Sequence, residues 1–377
     1  MSRSAESELL ALEDALEILA GAFPPSSAGA IRADRDDPAL DRSAMDGAAM
    51  RSQDGCVPRE VLGTLFAGDP PDRFAVGPGA CVRIMTGACL PPGADTVVPV
   101  ENLKQLEGRL VPATAPGTGD YIRRRGDQAA AGAVLLPAGL PHTAARTGLR
   151  AQVGLEPPAL RRLVVGIAPT GDEIVEHPRP HQIRDANGPM LAALAHALGA
   201  EVRRLAPLPD DPPTLRGFLS DLGELDILIT SGGVSAGEKD HLPSVLQSLG
   251  ARVLFHKIRL KPGKPMLAAL LGPKVILGLP GNPVSSYVNA LLFLPVAMAG
   301  LLGTPRPDPW KPGVLETAVA NPGDRPLLLP CRLRDGRLQP LDSRGSADLI
   351  RLAQADACAW VPAGGCPAGP ARYLDIV

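Results

Sequence analysis

The sequence predicts an α/β multidomain protein built around a central layered domain with a mainly parallel sheet. Three observations predict it. Between residues 160 and 304, apolar runs of strand length alternate with stretches of helical periodicity, the pattern of strand–helix repeats. Before and after that region, short apolar runs are broken by Gly, Pro and Asp, which reads as β-rich. The 377 residues exceed one ordinary domain and suit two to four.

The elements follow in order. Ser7 can cap a helix over residues 8–19, where Leu9, Leu12, Leu16 and Leu19 recur at helical spacing and Gly21 can end it. Residues 33–128 read as a β-rich domain, with runs such as Val61-Leu62-Gly63 and Cys81-Val82-Arg83-Ile84-Met85. Residues 129–159 hold short runs between small residues and prolines. They are expected to join residues 1–32 in a discontinuous linker domain. In the central domain, strands are expected over residues 163–168, 202–205, 225–230, 252–258 and 274–279. Helices are expected over 189–198, 214–222 and 241–249, with a long one from about Val284. Residues 305–377 return to short strands with one helix over 346–353, a small C-terminal β domain.

Composition sets limits on function. Hydrophobic residues make up 45% and charged residues 21%, so a sizeable core is available; with aromatics at 3% it must be aliphatic. The formal charge of −2 argues against a broad nucleic-acid surface. Cys56, Cys81, Cys89, Cys331, Cys358 and Cys366 form no C-x-x-C pair and are expected to be reduced, packed thiols. The acidic start (Glu6, Glu8, Glu13, Asp14, Glu17) is unlike a secretory signal, and no apolar run reaches the length of a membrane span. The expectation is a cytoplasmic protein with no nucleic-acid or membrane partner.

Three glycine-rich loops follow expected strands of the central domain. They are Thr170-Gly171-Asp172-Glu173, the segment from Thr230 through Gly232, Gly233, Val234 and Ser235, and Pro280-Gly281-Asn282-Pro283-Val284-Ser285. Glycine lets backbone N–H groups approach an anion, and a following helix adds the positive end of its dipole. One such loop is usually just a turn; three at one sheet edge point to a phosphate or oxyanion pocket. Asp240 reads equally well as a helix N-cap and as a Mg²⁺ ligand. Glu173 can be a solvated loop acid or a metal ligand. In Lys261-Pro262-Gly263-Lys264-Pro265, two prolines fix two lysines, which favours an anion clamp over loose surface charge. There is no P-loop, no dinucleotide fingerprint and no nucleophile elbow near any of the six histidines. In the β-rich domain, Asp46 of SAMDG and Thr86 of RIMTGA read as turn residues or as reactive groups. Arg123, Arg124 and Arg125 read as a solvated face or as phosphate readers.

The ordered set SAMDG, RIMTGA, RRRG, TGDE, DAN, SGGVSAGEKD, KPGKP, GLPGNPVS and RGSAD resembles the MoeA family of molybdopterin molybdenumtransferases, which includes the E domain of gephyrin. The resemblance runs through nearly the whole chain. It implies an elongated four-domain subunit, a homodimer with shared active sites, and insertion of molybdate into adenylylated molybdopterin with release of AMP and help from Mg²⁺. By motif position it implies roles for Asp46, Thr86, Glu173, Asp240, Lys261 and Lys264 in catalysis. It implies substrate contacts from Arg123, Gly232, Gly233, Ser235, Pro280, Gly281, Asn282, Pro283, Ser285, Arg332 and Ser346. Asp240, Glu173 and Asp210 are the implied metal ligands, with Asp211 completing an Asp pair. Two departures stand out. Asp127 is followed by Gln128 where the family carries a second acid, and Ala48 replaces the aromatic that follows MDG. They keep in view a non-catalytic or weakened relative that binds molybdopterin or a partner protein. An adenylyltransferase acting one step earlier would resemble only the central domain.

Overall fold

The computed structural model describes residues 9–24, 29–158, 161–209, 211–234 and 240–377. The chain divides into two compact units. One takes in Met1–Pro25, Pro141–Thr143 and Ala159–Val377; the other takes in Ser26–Leu140 and Ala144–Pro158.

The first unit is organised by a six-stranded sheet: β1 (Val164–Pro169), β2 (Glu201–Arg204), β3 (Ile227–Ser231), β4 (Arg252–His256), β5 (Leu267–Leu271) and β6 (Lys274–Leu279), in the order 2-1-3-6-5-4. Pairs β1–β2, β1–β3 and β3–β6 are parallel. The β6–β5 and β5–β4 pairs are antiparallel, so the sheet is mainly parallel but mixed, with β5 alone running against the other five strands. Strand β5, absent from the expectation, makes the difference: it returns to β6 through the short Gly272-Pro273 turn.

Helices cover both faces. On one side lie α1 (Leu12–Gly21), α2 (Asn187–Ala197) and α5 (Pro283–Leu302). Their Leu16, Leu191 and Phe293 share a core with Val165, Ile167, Ile229 and Leu277. On the other lie α3 (Pro212–Ser220) and α4 (Leu242–Ser248), whose Leu219 and Leu246 pack with Ala168, Leu228 and Ile276. Alternate strand residues feed opposite cores, as a sheet buried on both faces requires. Helix α1 packs into this core, and residues 31–32 pair with 134–136 in the second unit. Ser7, its expected cap, lies outside the described residues.

Two helix ends have a clear local reason. Asp211 caps α3 by accepting from Thr214 N at 2.9 Å, with Pro212 in the first turn. Gly303, in the left-handed region, closes α5. Helix α5 is long and apolar enough to cross a membrane, but 83% of its most apolar window is buried, and it is the core helix of the unit.

Beyond α5 the chain closes a five-stranded barrel: β7 (Lys311–Leu315), β8 (Leu327–Arg334), β9 (Arg337–Pro340), β10 (Ala357–Val361) and β11 (Gly369–Asp375) in the order 7-9-8-10-11. Leu315, Cys331, Leu338 and Tyr373 fill it, while Leu328 and Leu374 face the core of the α/β layers. The expected helix is present as α6 (Leu349–Ala353). At the seam, Arg372 stacks on Trp310 at 4.3 Å and on Trp360 at 4.4 Å and reaches Glu13 of α1 at 2.7 Å.

The second unit holds a four-stranded sheet of Glu60–Leu65, Ala80–Ile84, Gly47–Met50 and Thr96–Pro99, in that order. Ala49, Leu65, Val82 and Val97 form one core; Ala48, Met50, Cys81 and Val98 form another. Ala48 is therefore a fully buried core residue.

Candidate functional site

The chain order places β2 outside β1 and β3 on the other side of β1, so the connections diverge between β1 and β3. Open α/β sheets form a crevice at the carboxyl ends of strands at such a switch. The three glycine-rich loops follow β1, β3 and β6 at that edge. They are tied together: Thr170 N donates to Ser231 O at 3.0 Å, and Gly232 N donates to Leu279 O at 2.9 Å. Asn187, at the start of α2, donates from Nδ2 to both Ser231 Oγ at 2.6 Å and Gly281 O at 2.7 Å. Gly232 has φ of +111°, and a Cβ there would meet Thr170 Oγ1 at 2.5 Å, so only glycine fits. The Glu173 carboxylate folds back over this edge, with Oε2 at 2.6 Å from where a Cβ on Gly171 would sit. The residue at the N-cap of α4 is His241, which makes no side-chain capping bond, and Asp240 stands immediately before it. Ser235 and Asp210 lie outside the described residues.

Beside these loops opens a cavity of about 600 Å³. The KPGKP segment, the start of α5, the residues entering β8 and the 343–346 turn line it. Four of its lining residues are cationic (Lys261, Lys264, Arg325 and Arg344), and among the described residues none that lines it is Asp or Glu. Anion binding is the chemistry such a wall supports. Lys261 is held to the barrel strand: its N–H donates to Pro326 O at 2.9 Å and its carbonyl accepts from Leu328 N at 2.8 Å. Arg325 donates from Nη1 to Leu260 O at 3.1 Å. Ser346 is fixed to the third loop, accepting from Asn282 Nδ2 at 3.0 Å on Oγ and from Val284 N at 3.0 Å on its carbonyl. The dipole at the start of α5 adds positive potential on the same side. Asp348 caps α6 and accepts from Arg344 N at 2.8 Å; that N–H, first of its causes, holds its carboxyl below the usual range.

In the second unit, the register pairs Gly47 with Ile84, which sets Asp46 opposite the 85–86 turn. Thr86 donates from both N and Oγ1 to Asp46 Oδ1 at 2.7 Å each. The backbone donation first, then the hydroxyl, hold the exposed Asp46 carboxyl below its ordinary value. Arg124 pairs with Asp41 at 2.7 Å and Arg125 with Asp36 at 2.5 Å. Arg123 is exposed and, with Arg35 and Arg42, lines a cavity of about 270 Å³.

Of the expected residues, Lys261, Lys264, Pro280, Asn282, Ser285 and Ser346 meet in one cavity. Gly232, Gly233 and Gly281 lie on the adjoining loops, and Pro283 opens α5. Arg332 does not line the cavity. It sits on the same outer face of β8 as Pro330, two residues or about 7 Å farther along the strand. Arg325 and Arg344 supply guanidinium groups there instead. Arg344 could have been found beside Ser346 in RGSAD, and Asn187 within DAN; Arg325 carries no local signal. Among the described residues, no group of three or more His, Cys, Asp or Glu is assembled to hold a metal.

With that geometry in hand, two family models match the chain: the "MoeA N-terminal region (domain I and II)" over residues 6–154 and the "Probable molybdopterin binding domain" over residues 166–299. The molybdopterin molybdenumtransferase of Synechococcus elongatus is 35% identical over 344 residues, covering 87% of this chain and 85% of the relative. That of Bacillus subtilis is 34% identical, covering 96% and 87%. The crystal structure of a molybdopterin biosynthesis MoeA protein from Pyrococcus horikosii matches with a TM-score of 0.69 at 27% identity, covering 98% of this chain and 99% of that one.

Proposed function

The chain belongs to the MoeA family, and on that premise we propose that it is a molybdopterin molybdenumtransferase acting in molybdenum cofactor biosynthesis. The proposed reaction takes adenylylated molybdopterin and molybdate and yields molybdenum cofactor and AMP. The observation that carries this reading is the cavity with four cationic lining residues and, among the described residues, no carboxylate. Molybdate is a tetrahedral dianion, and the adenylate brings a phosphate of the same sign; both suit ammonium, guanidinium and N–H donors.

In this reading Lys261, Lys264, Arg325 and Arg344 bind and orient the oxyanion, and Ser346 and Asn282 complete its hydrogen bonds. The loops carrying Gly232, Gly233 and Gly281, with Ser235 and Pro283, receive the phosphate part of the substrate. Arg123 is proposed as a further anion contact. Asp46 is proposed as a reactive carboxylate; Thr86 orients it by donating from N and Oγ1 to one oxygen. A divalent cation would be held by Glu173 and Asp240, with Asp210 as the remaining donor. The carboxylate of Glu173 over the first loop fits such a site, and few protein donors suit Mg²⁺, which keeps several waters. When bound, the ion would neutralise charge on the phosphate as its link to the pterin side is cleaved.

Two finer statements belong to the same proposal. One is the fourfold division at residues 33–128, 160–304, 305–377 and the remaining linker. The other is a homodimer whose active sites combine Asp46 and Thr86 of one subunit with Asp240, Lys261 and Lys264 of the other. The cytoplasm is the proposed compartment. The test is to incubate the purified protein with adenylylated molybdopterin, molybdate and Mg²⁺ and to follow AMP release together with cofactor formation. Molybdate-dependent AMP release is expected; its absence, with substrate binding intact, refutes the activity.

A further inference from the structure

Helix α5 is buried along most of its length, and Asn289 sits fully buried within it beside Val288, Ala290 and Leu292. A carboxamide in such a place is costly unless both its ends are bonded. Only one end is. Nδ2 donates to Gly263 O at 3.1 Å, while Oδ1 has no partner among the described residues. The amide packs against the glycine: a Cβ on Gly263 would sit 2.9 Å from both Nδ2 and Oδ1, and Gly263 holds φ of +117°.

The rest of this lysine loop is anchored by backbone. Lys261 is paired to Pro326 and Leu328, and the Lys264 carbonyl accepts from Ile258 N at 2.9 Å and Met266 N at 3.0 Å. The peptide between Gly263 and Lys264 is anchored by a side chain, and that side chain is Asn289. We infer that Asn289 is a positioning residue for the anion pocket. By fixing the Gly263–Lys264 peptide it sets where the Lys264 side chain begins, and so the spacing at which the two ammonium groups meet an oxyanion. The inference deepens the proposed reaction and rests on that reading. It also explains a half-satisfied polar group in an apolar helix: sequences keep such local conflicts where function needs them.

The test uses Asn289→Leu, close in size and apolar, and Asn289→Ala, both in the full chain, with molybdate as the probe. Asn289→Leu removes an unpaired buried oxygen but leaves the Gly263 carbonyl without its donor, so it is expected to melt close to the wild-type temperature. Its Kd and KM for molybdate should rise about tenfold, equivalent to about 1.4 kcal/mol. Its KM for adenylylated molybdopterin should stay at the wild-type value. In a Lys264→Ala background the same substitution should change molybdate affinity less than about twofold, because effects through one shared partner are not additive. Wild-type molybdate affinity in a folded Asn289 variant overturns the inference, and so does an undiminished loss in the Lys264→Ala background. Failure of both variants to fold makes Asn289 a packing residue and overturns it too. A wild-type chain that binds no molybdate removes the functional reading and this inference together.

Discussion

Arg325→Ala separates what the structure assigns to the anion pocket from what motif position assigned. Arg325 lines the cavity, half-buried, with Nη1 on the Leu260 carbonyl at 3.1 Å. A charge-assisted contact to a bound oxyanion is worth about 1.5–3 kcal/mol, or roughly 10- to 150-fold in Kd. Partial exposure screens the charge and favours the low end, so about a tenfold loss is expected. Arg332 is exposed and lies beyond the cavity wall, so Arg332→Ala should alter affinity by less than about twofold. Arg325→Lys should fall between, since one ammonium cannot both hold Leu260 O and present a guanidinium fork. The assay is calorimetric titration of molybdate at fixed pH and ionic strength, with a melting curve for each variant. Native affinity in Arg325→Ala together with a tenfold loss in Arg332→Ala would refute the assignment.

Three more predictions follow from the site. Asp240→Asn should lose metal-dependent turnover while keeping its melting temperature; full turnover at limiting Mg²⁺ would take Asp240 out of the site. Thr86→Val removes one of two donors to Asp46, so the carboxyl should titrate at higher pH, seen by carbon-detected NMR and as an upward shift of the acid limb of turnover. The sign is fixed by the direction of the shift: a folded carboxyl held below its unfolded value stabilises above the unfolded pKa, and that stability is lost as pH falls through the folded one. An unmoved titration would count against the Asp46–Thr86 bond. Asp46→Ala and Asp240→Ala homodimers should each be nearly inactive, and random subunit exchange should restore up to about a quarter of wild-type activity if sites are shared across a two-fold; no recovery after exchange verified by mass refutes sharing.

The parts of the fold written in local sequence were legible. Strand Lys274–Leu279 has the bounds its apolar run predicted, and the loops after β1, β3 and β6 are where glycine and proline signals put them. Strand β5 escaped because Leu267-Ala268-Ala269-Leu270-Leu271 is made of helix-forming residues; its extended state is imposed by β4 and β6 on either side. Helix α1 was seen, but its partner was not, since the packing of Leu12, Leu16 and Leu19 depends on residues some 280 positions away. The site divides in the same way. Lys261 and Lys264 announce themselves within five residues. Arg325 joins them only because the Lys261–Leu327 bridge brings the start of β8 alongside the loop, and a fact of tertiary pairing leaves no trace in a motif. Ala48 stands where the family carries an aromatic, and it is a zero-exposure core position between two neighbouring strands.

The packing of Arg372 over Trp310 and Trp360, whose rings meet edge to face at 5.3 Å, also decides what light can report about this molecule. These are the chain's two tryptophans, and both pack against the α/β core where the barrel meets it. Indole emission therefore comes from one spot, with a guanidinium against both rings and Glu13 of α1 behind it. A fluorescence-detected melt follows the opening of that seam and is blind to Ser26–Leu140, which carries no indole. Far-ultraviolet dichroism, which sees every peptide, is the complementary channel, and disagreement between the two curves would measure how independently the two units unfold.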